Sequence, residues 1–187
     1  MTISRHFWTF ALVLLLAGGL GACNRGEHVQ AAREGRDTAV SPAEQDFAMK
    51  ATQVHLAEID MGRMAKQKSQ NDDVKDYADM VVKDHTKALE KLVDLMREKN
   101  IPQSNSLAAE VKQDMDKMSA LAGPDFDREF ANTMVSEHQK AIEMFRSQAG
   151  IAQNRDIKSY VDENLPTLEK HLEEAQELQS NVFNTTR

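Results

Sequence analysis

Residues 83–90 of the chain read Lys-Asp-His-Thr-Lys-Ala-Leu-Glu, and residues 136–143 read Ser-Glu-His-Gln-Lys-Ala-Ile-Glu. In both segments an acidic residue precedes a histidine, and a lysine, an alanine, an aliphatic residue and a glutamate follow at the same spacing. When each segment is placed on a helix at about 100° per residue, the histidine falls within the stripe of apolar residues. The repeat therefore predicts two amphipathic helices that each bring one histidine to a core.

Apolar residues continue at helical spacing on both sides of the repeat and predict four long helices. These are α1 at about 42–68, α2 at about 73–99, α4 at about 124–149 and α5 at about 155–181. Helix α1 begins with the capping-box sequence Ser41-Pro42-Ala43-Glu44, in which proline occupies the first turn. Pro166 lies inside α5, where it is expected to kink the helix or loosen one turn.

The lengths of the connections predict how the helices are arranged. Short turns join α1 to α2 and α4 to α5, so each pair is expected to form an antiparallel hairpin. The connection between α2 and α4 is long and contains a short helix, α3, predicted at about 106–121. The predicted fold is therefore all-α: a ferritin-like four-helix bundle with a long crossover that contains a short extra helix. Such a crossover makes α2 and α4 parallel and brings His85 close to His138.

The composition of the 187-residue chain agrees with a helical domain and disfavours several other classes. Aromatic residues make up 5% of the chain and β-branched residues are few, which argues against a β-sandwich or barrel. The formal net charge is −7 without a basic cluster, so no nucleic-acid partner is expected. The single cysteine excludes an internal disulfide and a cysteine-rich zinc or iron–sulfur site. No phosphate-binding loop or nucleophile motif indicates a kinase or a hydrolase.

The first residues are predicted to direct export. Residues 1–22 have the pattern of a signal peptide, with Arg5 before an apolar segment that is too short for a comfortable membrane span. The segment ends in Leu20-Gly21-Ala22-Cys23, which resembles a bacterial lipobox and predicts that Cys23 is lipidated. A plain secretory signal with an incidental cysteine is the alternative.

The segment that follows the cysteine is predicted to link a membrane to a globular domain. Residues 23–41 have no sustained apolar period and are interpreted as the lipidated cysteine and a flexible tether, and residues 42–182 as the helical bundle. By resemblance to the lipoprotein sorting rule, Asn24 favours the outer membrane. The rule does not fix which side of that membrane the domain faces, and the periplasmic side is the expectation. The expected partner is therefore the membrane of the bacterial cell envelope, and the sequence identifies no protein partner.

One ionisable residue lies within the apolar stripe of each long helix, near its middle. These residues are Glu58 in α1, His85 in α2, His138 in α4 and, just inside the edge of the stripe, His171 in α5. In a bundle of helices of similar length, positions near the middle share one level, so the four side chains are predicted to converge in the core. Because burial without partners costs on the order of several kcal/mol, they must pair with each other, with water or with a metal ion.

Three histidines and one glutamate suit a single transition-metal ion, which could be Fe, Mn, Zn or Cu. A two-iron centre is disfavoured because the Glu-x-x-His motif of such bundles is absent. Asp84 and Glu137 lie at the margin of the apolar stripes, where each is predicted to orient a ligand histidine on a neighbouring helix. His55 lies at the edge of the stripe of α1 and is predicted to be a rim residue, and the methionines are predicted to fill gaps in the core.

A metal-free cluster of hydrogen bonds that fixes the register of the helices is the alternative to a metal site. In that case one or two imidazoles beside Glu58 are expected to be protonated, with a pKa raised above about 6.5. A metal site would correspond to a redox or metal-handling protein. A metal-free cluster would correspond to a non-catalytic structural or interaction module of the envelope.

The helices resemble the bacterial family known as domain of unknown function 4142, a ferritin-like group. The resemblance covers about residues 45–180 and rests on segments in all four long helices. They are Ala57-Glu58-Ile59 with Gly62 and Ala65, Met80-Val81-Val82-Lys83-Asp84-His85-Thr86-Lys87-Ala88, Phe126-Asp127-Arg128-Glu129-Phe130, Met134-Val135-Ser136-Glu137-His138, and Leu165-Pro166-Thr167-Leu168-Glu169-Lys170-His171-Leu172. The resemblance implies a ferritin-like bundle in an exported or lipidated protein, and it implies no established activity.

Overall fold

The structure is a computed structural model that describes residues 39–103 and 106–184. Within these ranges the helices are α1 Pro42–Lys68, α2 Asp72–Glu98, α3 Ala109–Ser119, α4 Gly123–Ile151 and α5 Arg155–Asn184, with no strand among them. The predicted all-α fold is therefore confirmed. In the described part of the chain, no helix has the length and apolarity needed to cross a membrane. The predicted signal peptide 1–22, Cys23 and most of the tether lie outside the described residues.

The four long helices form two hairpins that pack side by side. Helix α1 packs on α2 and α4 packs on α5, and the hairpins meet through contacts of α1 with α4 and of α2 with α5. The order around the bundle is therefore α1, α2, α5, α4, which places α2 and α4 on a diagonal.

Contacts at the two ends of the bundle fix the direction of each helix. The Lys68 ammonium at the end of α1 donates a hydrogen bond of 2.7 Å to the Ser119 carbonyl, just before α4 begins. At the opposite end, Lys99 after α2 forms a salt bridge with Asp156 at the start of α5. Helices α2 and α4 therefore run in the same direction, and the chain between them crosses the length of the bundle. The predicted crossover is confirmed, and the ferritin-like assignment stays a prediction.

The first turn of α1 is fixed by the capping box that the sequence predicts. Ser41 Oγ accepts a hydrogen bond from the amide of Glu44, and Glu44 Oε2 accepts one of 2.8 Å from the amide of Ser41. The other carboxylate oxygen of Glu44 accepts bonds from the amides of Gln153 and Asn154, at 2.9 and 2.8 Å. One buried carboxylate thus connects the start of α1 to the turn between α4 and α5, which fixes the axial register of the two hairpins.

The crossover helix α3 is shorter than predicted. It begins at Ala109 instead of about residue 106, and no side chain caps its start. The side chain of Gln53 in α1 donates to the carbonyl of Ser106 and accepts from the amide of Ala108. These two bonds hold the backbone in an extended form against α1 before the helix begins. Helix α5, in contrast, continues through Pro166 without interruption.

The core consists of two apolar clusters with a polar layer between them. One cluster surrounds Phe126 and Phe130, near the turn between α1 and α2, and the other surrounds Phe47 and Phe145, near the turn between α4 and α5. The side chains of the intervening layer are all buried, with 0–2% of their surface exposed; they are His55, Glu58, His85, His138 and His171. The bundle therefore places its buried ionisable groups at one level.

Candidate metal centre

Three histidines from three helices converge on one point in the polar layer. His171 Nδ1 lies 3.2 Å from His85 Nε2 and 3.3 Å from His138 Nε2. One nitrogen from each ring falls within a group of atoms that lie within 4.8 Å of one another. Because α2, α4 and α5 each contribute one ring at mid-height, the convergence predicted from the sequence is present.

The fourth group at this point is the carboxylate of Glu58 in α1. Its Oε2 lies 2.9 Å from His85 Nε2 and 3.5 Å from His138 Nε2. Both carboxylate oxygens are buried; Oε1 has no hydrogen-bond partner among the described residues, and the contact of Oε2 with His85 Nε2 is a hydrogen bond only when that nitrogen carries a proton. A buried carboxylate without a hydrogen-bond donor is costly, and a cation at this point would remove the cost.

The spacing of these four groups matches the spacing of ligands around a metal ion. Ligands at about 2.0–2.1 Å from a tetrahedral metal ion lie about 3.3 Å from one another. Four of the six separations among these groups, 3.2, 3.3, 2.9 and 3.5 Å, fall around this value, and the three ring nitrogens lie within 4.8 Å of one another. The three imidazole nitrogens therefore fit the ligand set of a single ion, with the carboxylate of Glu58 beside them as a fourth group.

The outer nitrogens of two of the histidines are bound to groups that only accept hydrogen bonds. His138 Nδ1 donates to the carbonyl of Met134 at 2.9 Å, and His171 Nε2 donates to Asp84 Oδ2 at 3.2 Å. In the neutral ring a proton on the outer nitrogen leaves a lone pair on the inner one. Both rings therefore direct a lone pair at the centre. The predicted position of Asp84, against a ligand histidine on a neighbouring helix, agrees with the structure.

The outer nitrogen of His85 has a different kind of partner. His85 Nδ1 lies 3.0 Å from Nδ1 of His55, and Nε2 of His55 lies 2.6 Å from the hydroxyl of Tyr160. The prediction that His55 is a rim residue is wrong, because only 1% of its surface is exposed. The sequence contained one indication of this role, since His55 precedes Glu58 by one helical turn on the same side of α1. The contact of the Tyr160 hydroxyl in α5 with His55 was not predicted from the sequence.

The prediction for Glu137 is wrong as well. Its carboxylate pairs with Lys140 on the same helix at 2.8 Å, and 35% of its side chain is exposed. It lines a surface cavity of about 360 Å³ next to α3 and contacts none of the buried histidines among the described residues. The reason follows from the order of the helices. Asp84 in α2 lies next to α5, where the ring of His171 donates an N–H to it. Glu137 in α4 lies on the side of α1, where Glu58 is a carboxylate and has no N–H to donate.

Burial and repulsion from neighbouring histidines keep the rings of His55 and His171 neutral. Burial, together with the nearby His85, lowers the pKa of His55 to about 3. Burial likewise lowers the pKa of His171 to about 4. Burial raises the pKa of Glu58, but His85 and His138 outweigh it and lower the value to about 2. For His55 and His171 the largest cause is desolvation, which disfavours the imidazolium.

The described residues thus define an all-α bundle protein with a buried centre of histidine and carboxylate groups. Residues 29–178 match the family described as domain of unknown function DUF4142, and the chain belongs to this family. The resemblance seen in the sequence is therefore confirmed. No curated protein sequence matches the chain.

Several solved structures share the fold at low sequence identity. A DUF305 fragment from Deinococcus radiodurans is 14% identical, with a TM-score of 0.69 over 76% of this chain and 99% of that one. A putative secreted DUF305 protein from Streptomyces coelicolor is 13% identical, with a TM-score of 0.66 over 75% and 93%. CopM in its Cu(I)-bound form is 20% identical, with a TM-score of 0.63 over 74% and 96%. These similarities show the helical fold.

Proposed function

We propose that the domain binds one transition-metal ion at the centre formed by Glu58, His85, His138 and His171. The observation that carries this proposal is the carboxylate of Glu58, which is buried and anionic, and whose neighbours among the described residues are the ring nitrogens of His85 and His138. It lies beside two rings, His138 and His171, that direct lone pairs at the same point. An anion and lone pairs that face each other in a buried core repel unless a cation lies between them.

The ligand set limits the identity of the ion to Fe, Mn, Zn or Cu, since imidazole and carboxylate groups suit these ions. Copper is the first ion to test, because CopM, with the same fold, has been solved in Cu(I)- and Cu(II)-bound forms. Silver is a useful analogue of Cu(I), since CopM also has Ag-bound forms. The corresponding role is metal handling or redox chemistry in the cell envelope.

The second candidate is a structural module in which the polar layer fixes the register of the helices without a metal ion. It is favoured by the contact of 2.9 Å between His85 Nε2 and Glu58 Oε2, which would be an ion pair if His85 were protonated. A buried pair of this kind specifies one arrangement of helices at little net gain in stability.

Elemental analysis separates the two candidates. We expect protein prepared without a histidine tag to contain one transition-metal ion per chain, and the variant His85→Ala to contain none. The variant His28→Ala is the matched control, because it removes a histidine from the predicted tether. Protein that stays metal-free after incubation with each of Fe²⁺, Mn²⁺, Zn²⁺ and Cu²⁺ would contradict the metal site and support the structural module.

We further propose that a lipid anchor at Cys23 holds the domain on the envelope, at the outer membrane and facing the periplasm. The lipobox Leu20-Gly21-Ala22-Cys23 supports the anchor, and Asn24 supports the outer membrane by resemblance to the sorting rule. The variant Cys23→Ala is expected to move from the membrane fraction to the soluble fraction. Unchanged fractionation, together with an intact mass that lacks acyl chains, would contradict the anchor.

A further inference from the structure

The polar layer contains a continuous chain of hydrogen bonds that ends at the protein surface. It begins at the hydroxyl of Tyr160 and passes through His55, His85 and His171 to the carboxylate of Asp84. The successive separations are 2.6, 3.0, 3.2 and 3.2 Å. Tyr160 is 5% exposed, whereas 36% of the Asp84 side chain is exposed. The chain therefore has one buried end and one end in contact with solvent.

At the Asp84 end of the chain, which group donates each hydrogen bond is fixed. At the Tyr160 end, the donor and the acceptor can exchange roles. A carboxylate only accepts, so His171 must donate to Asp84 and keep a lone pair on Nδ1. His55 can donate through either nitrogen, and the hydroxyl of Tyr160 can donate or accept. The pKa of Tyr160 is raised by burial, so the hydroxyl keeps its proton. Two arrangements of the same protons thus satisfy the link between His55 and His85.

In the first arrangement every bond of the chain points toward Asp84. Tyr160 donates to Nε2 of His55, and His55 donates through Nδ1 to His85. His85 then donates through Nε2 to the centre, where Glu58 Oε2 lies at 2.9 Å and His171 Nδ1 at 3.2 Å. The proton on Nε2 of His85 then occupies the centre and prevents this nitrogen from binding a metal ion. This arrangement satisfies the buried hydroxyl and each ring nitrogen of the chain, so it suits the metal-free protein.

In the second arrangement the Tyr160 end of the chain is reversed. His85 donates through Nδ1 to His55, and His55 donates through Nε2 to the oxygen of Tyr160. The lone pair of His85 Nε2 then faces the centre and can bind the ion. Both rings change tautomer, the number of protons is the same, and no group gains or loses a charge.

We propose that His55 and Tyr160 are positioning residues that set the tautomer of His85 and thereby control access to the metal site. This inference rests on the proposed metal site. His138 and His171 hold the same tautomer in both states, because Met134 O and Asp84 only accept. His85 is the one ligand of the three whose outer partner can reverse, so metal binding is coupled to the tautomers of His55 and His85.

The test is nuclear magnetic resonance of the full chain labelled with ¹⁵N at histidine, because ring ¹⁵N shifts distinguish the two tautomers. The probe is Zn²⁺, which is diamagnetic. In the metal-free protein we expect the proton of His55 on Nδ1 and that of His85 on Nε2. After one equivalent of Zn²⁺, we expect both to move to the other nitrogen, while His138 and His171 keep theirs.

A pair of tyrosine variants tests the positioning role. Tyr160→Phe removes the hydroxyl that fixes His55, so the metal-free variant is expected to populate both tautomers of His55 and His85. Tyr77→Phe is the matched control, because Tyr77 is also buried and donates to the backbone carbonyl of His171 at 3.2 Å. This control is expected to keep the wild-type tautomers.

The outcomes separate this inference from the proposed function. Zn²⁺ binding without a change in the tautomers of His55 and His85 would overturn the inference and leave the metal site intact. Tautomers in Tyr160→Phe that equal those of the wild type would also overturn it. No binding of Zn²⁺ or of the other candidate ions would overturn the metal site itself, and the switch with it. The wild-type measurement decides the matter even if a variant does not fold.

Discussion

At the scale of single residues, Glu58 is the proposed ligand that a metal ion would stabilise most, because its carboxylate is buried and negatively charged. Glu58→Gln removes the negative charge and keeps the size of the side chain. The change is expected to lower the metal affinity by at least about a hundredfold, since changes in outer partners alone cost roughly 10–100-fold. Isothermal titration with Zn²⁺ or Cu²⁺ measures the effect.

The matched control for this prediction is Glu137→Gln. It makes the same chemical change at a half-exposed position that pairs with Lys140, so its metal affinity is expected to stay within about threefold of the wild type. Equal losses in the two variants would indicate a general electrostatic effect and would contradict a direct bond between Glu58 and the ion.

The sequence predicts the convergence of Glu58 and the three histidines because each lies inside an apolar stripe near the middle of a long helix. It does not predict His55 or Glu137, because both lie at the edge of a stripe. Whether an edge position is buried depends on which side chain the neighbouring helix presents at that level. His55 is enclosed by Tyr160 of α5, and the periodicity of α1 contains no information about that residue.

At the scale of helices, Gly62 sets the distance between α1 and α2. A Cβ atom at Gly62 would lie 2.7 Å from Val82 Cγ2 and 3.2 Å from the carbonyl of Ala78. Gly62→Ala is therefore expected to lower the free energy of unfolding by about 1–2 kcal/mol. Overpacking destabilises by about 1–3 kcal/mol, and the higher helix propensity of alanine offsets up to about 1 kcal/mol of this loss. Urea unfolding followed by circular dichroism measures the change.

Gly150 provides the matched control, because a Cβ atom there meets nothing within 4 Å. Gly150→Ala is expected to be neutral or to stabilise by up to about 1 kcal/mol. The double variant Gly62→Ala/Val82→Ala should recover part of the loss by removing the nearest methyl group. If Gly62→Ala were as stable as Gly150→Ala, the close packing of α1 on α2 would be wrong.

The long helices follow from local chemistry, whereas the crossover follows from distant contacts. The capping box at Ser41 and Glu44 and the apolar spacing are sufficient to place α1. The start of α3 cannot be found in the same way, because Gln53, far away in the sequence, binds the backbone of Ser106 and Ala108. The local sequence favours a helix start at about residue 106, and this tertiary contact moves the start to Ala109.

At the scale of the whole molecule, the polar layer makes stability depend on pH. His55 and His171 have folded pKa values of about 3 and 4, below the value of about 6.5 in an unfolded chain. As the pH falls below 6.5 the unfolded chain takes up protons that these buried rings do not. Stability is therefore fully present above about pH 6.5 and is lost as the pH falls toward 4, by up to about 1.4 kcal/mol per unit for each ring.

Thermal unfolding of the metal-free protein between pH 5 and 8 tests this dependence. We expect the Tm to fall on acidification, and the fall to be smaller in His55→Gln/His171→Gln, since surface groups titrate equally in both proteins. An identical pH dependence in the two would mean that these rings are not held neutral.

A bound ion gives the same sign of slope, because its ligands must also be unprotonated. The slope alone therefore does not reveal the metal, and the decisive comparison is at fixed pH 7.5: a chelator lowers the Tm of a metal-loaded protein, and it leaves that of His85→Ala unchanged.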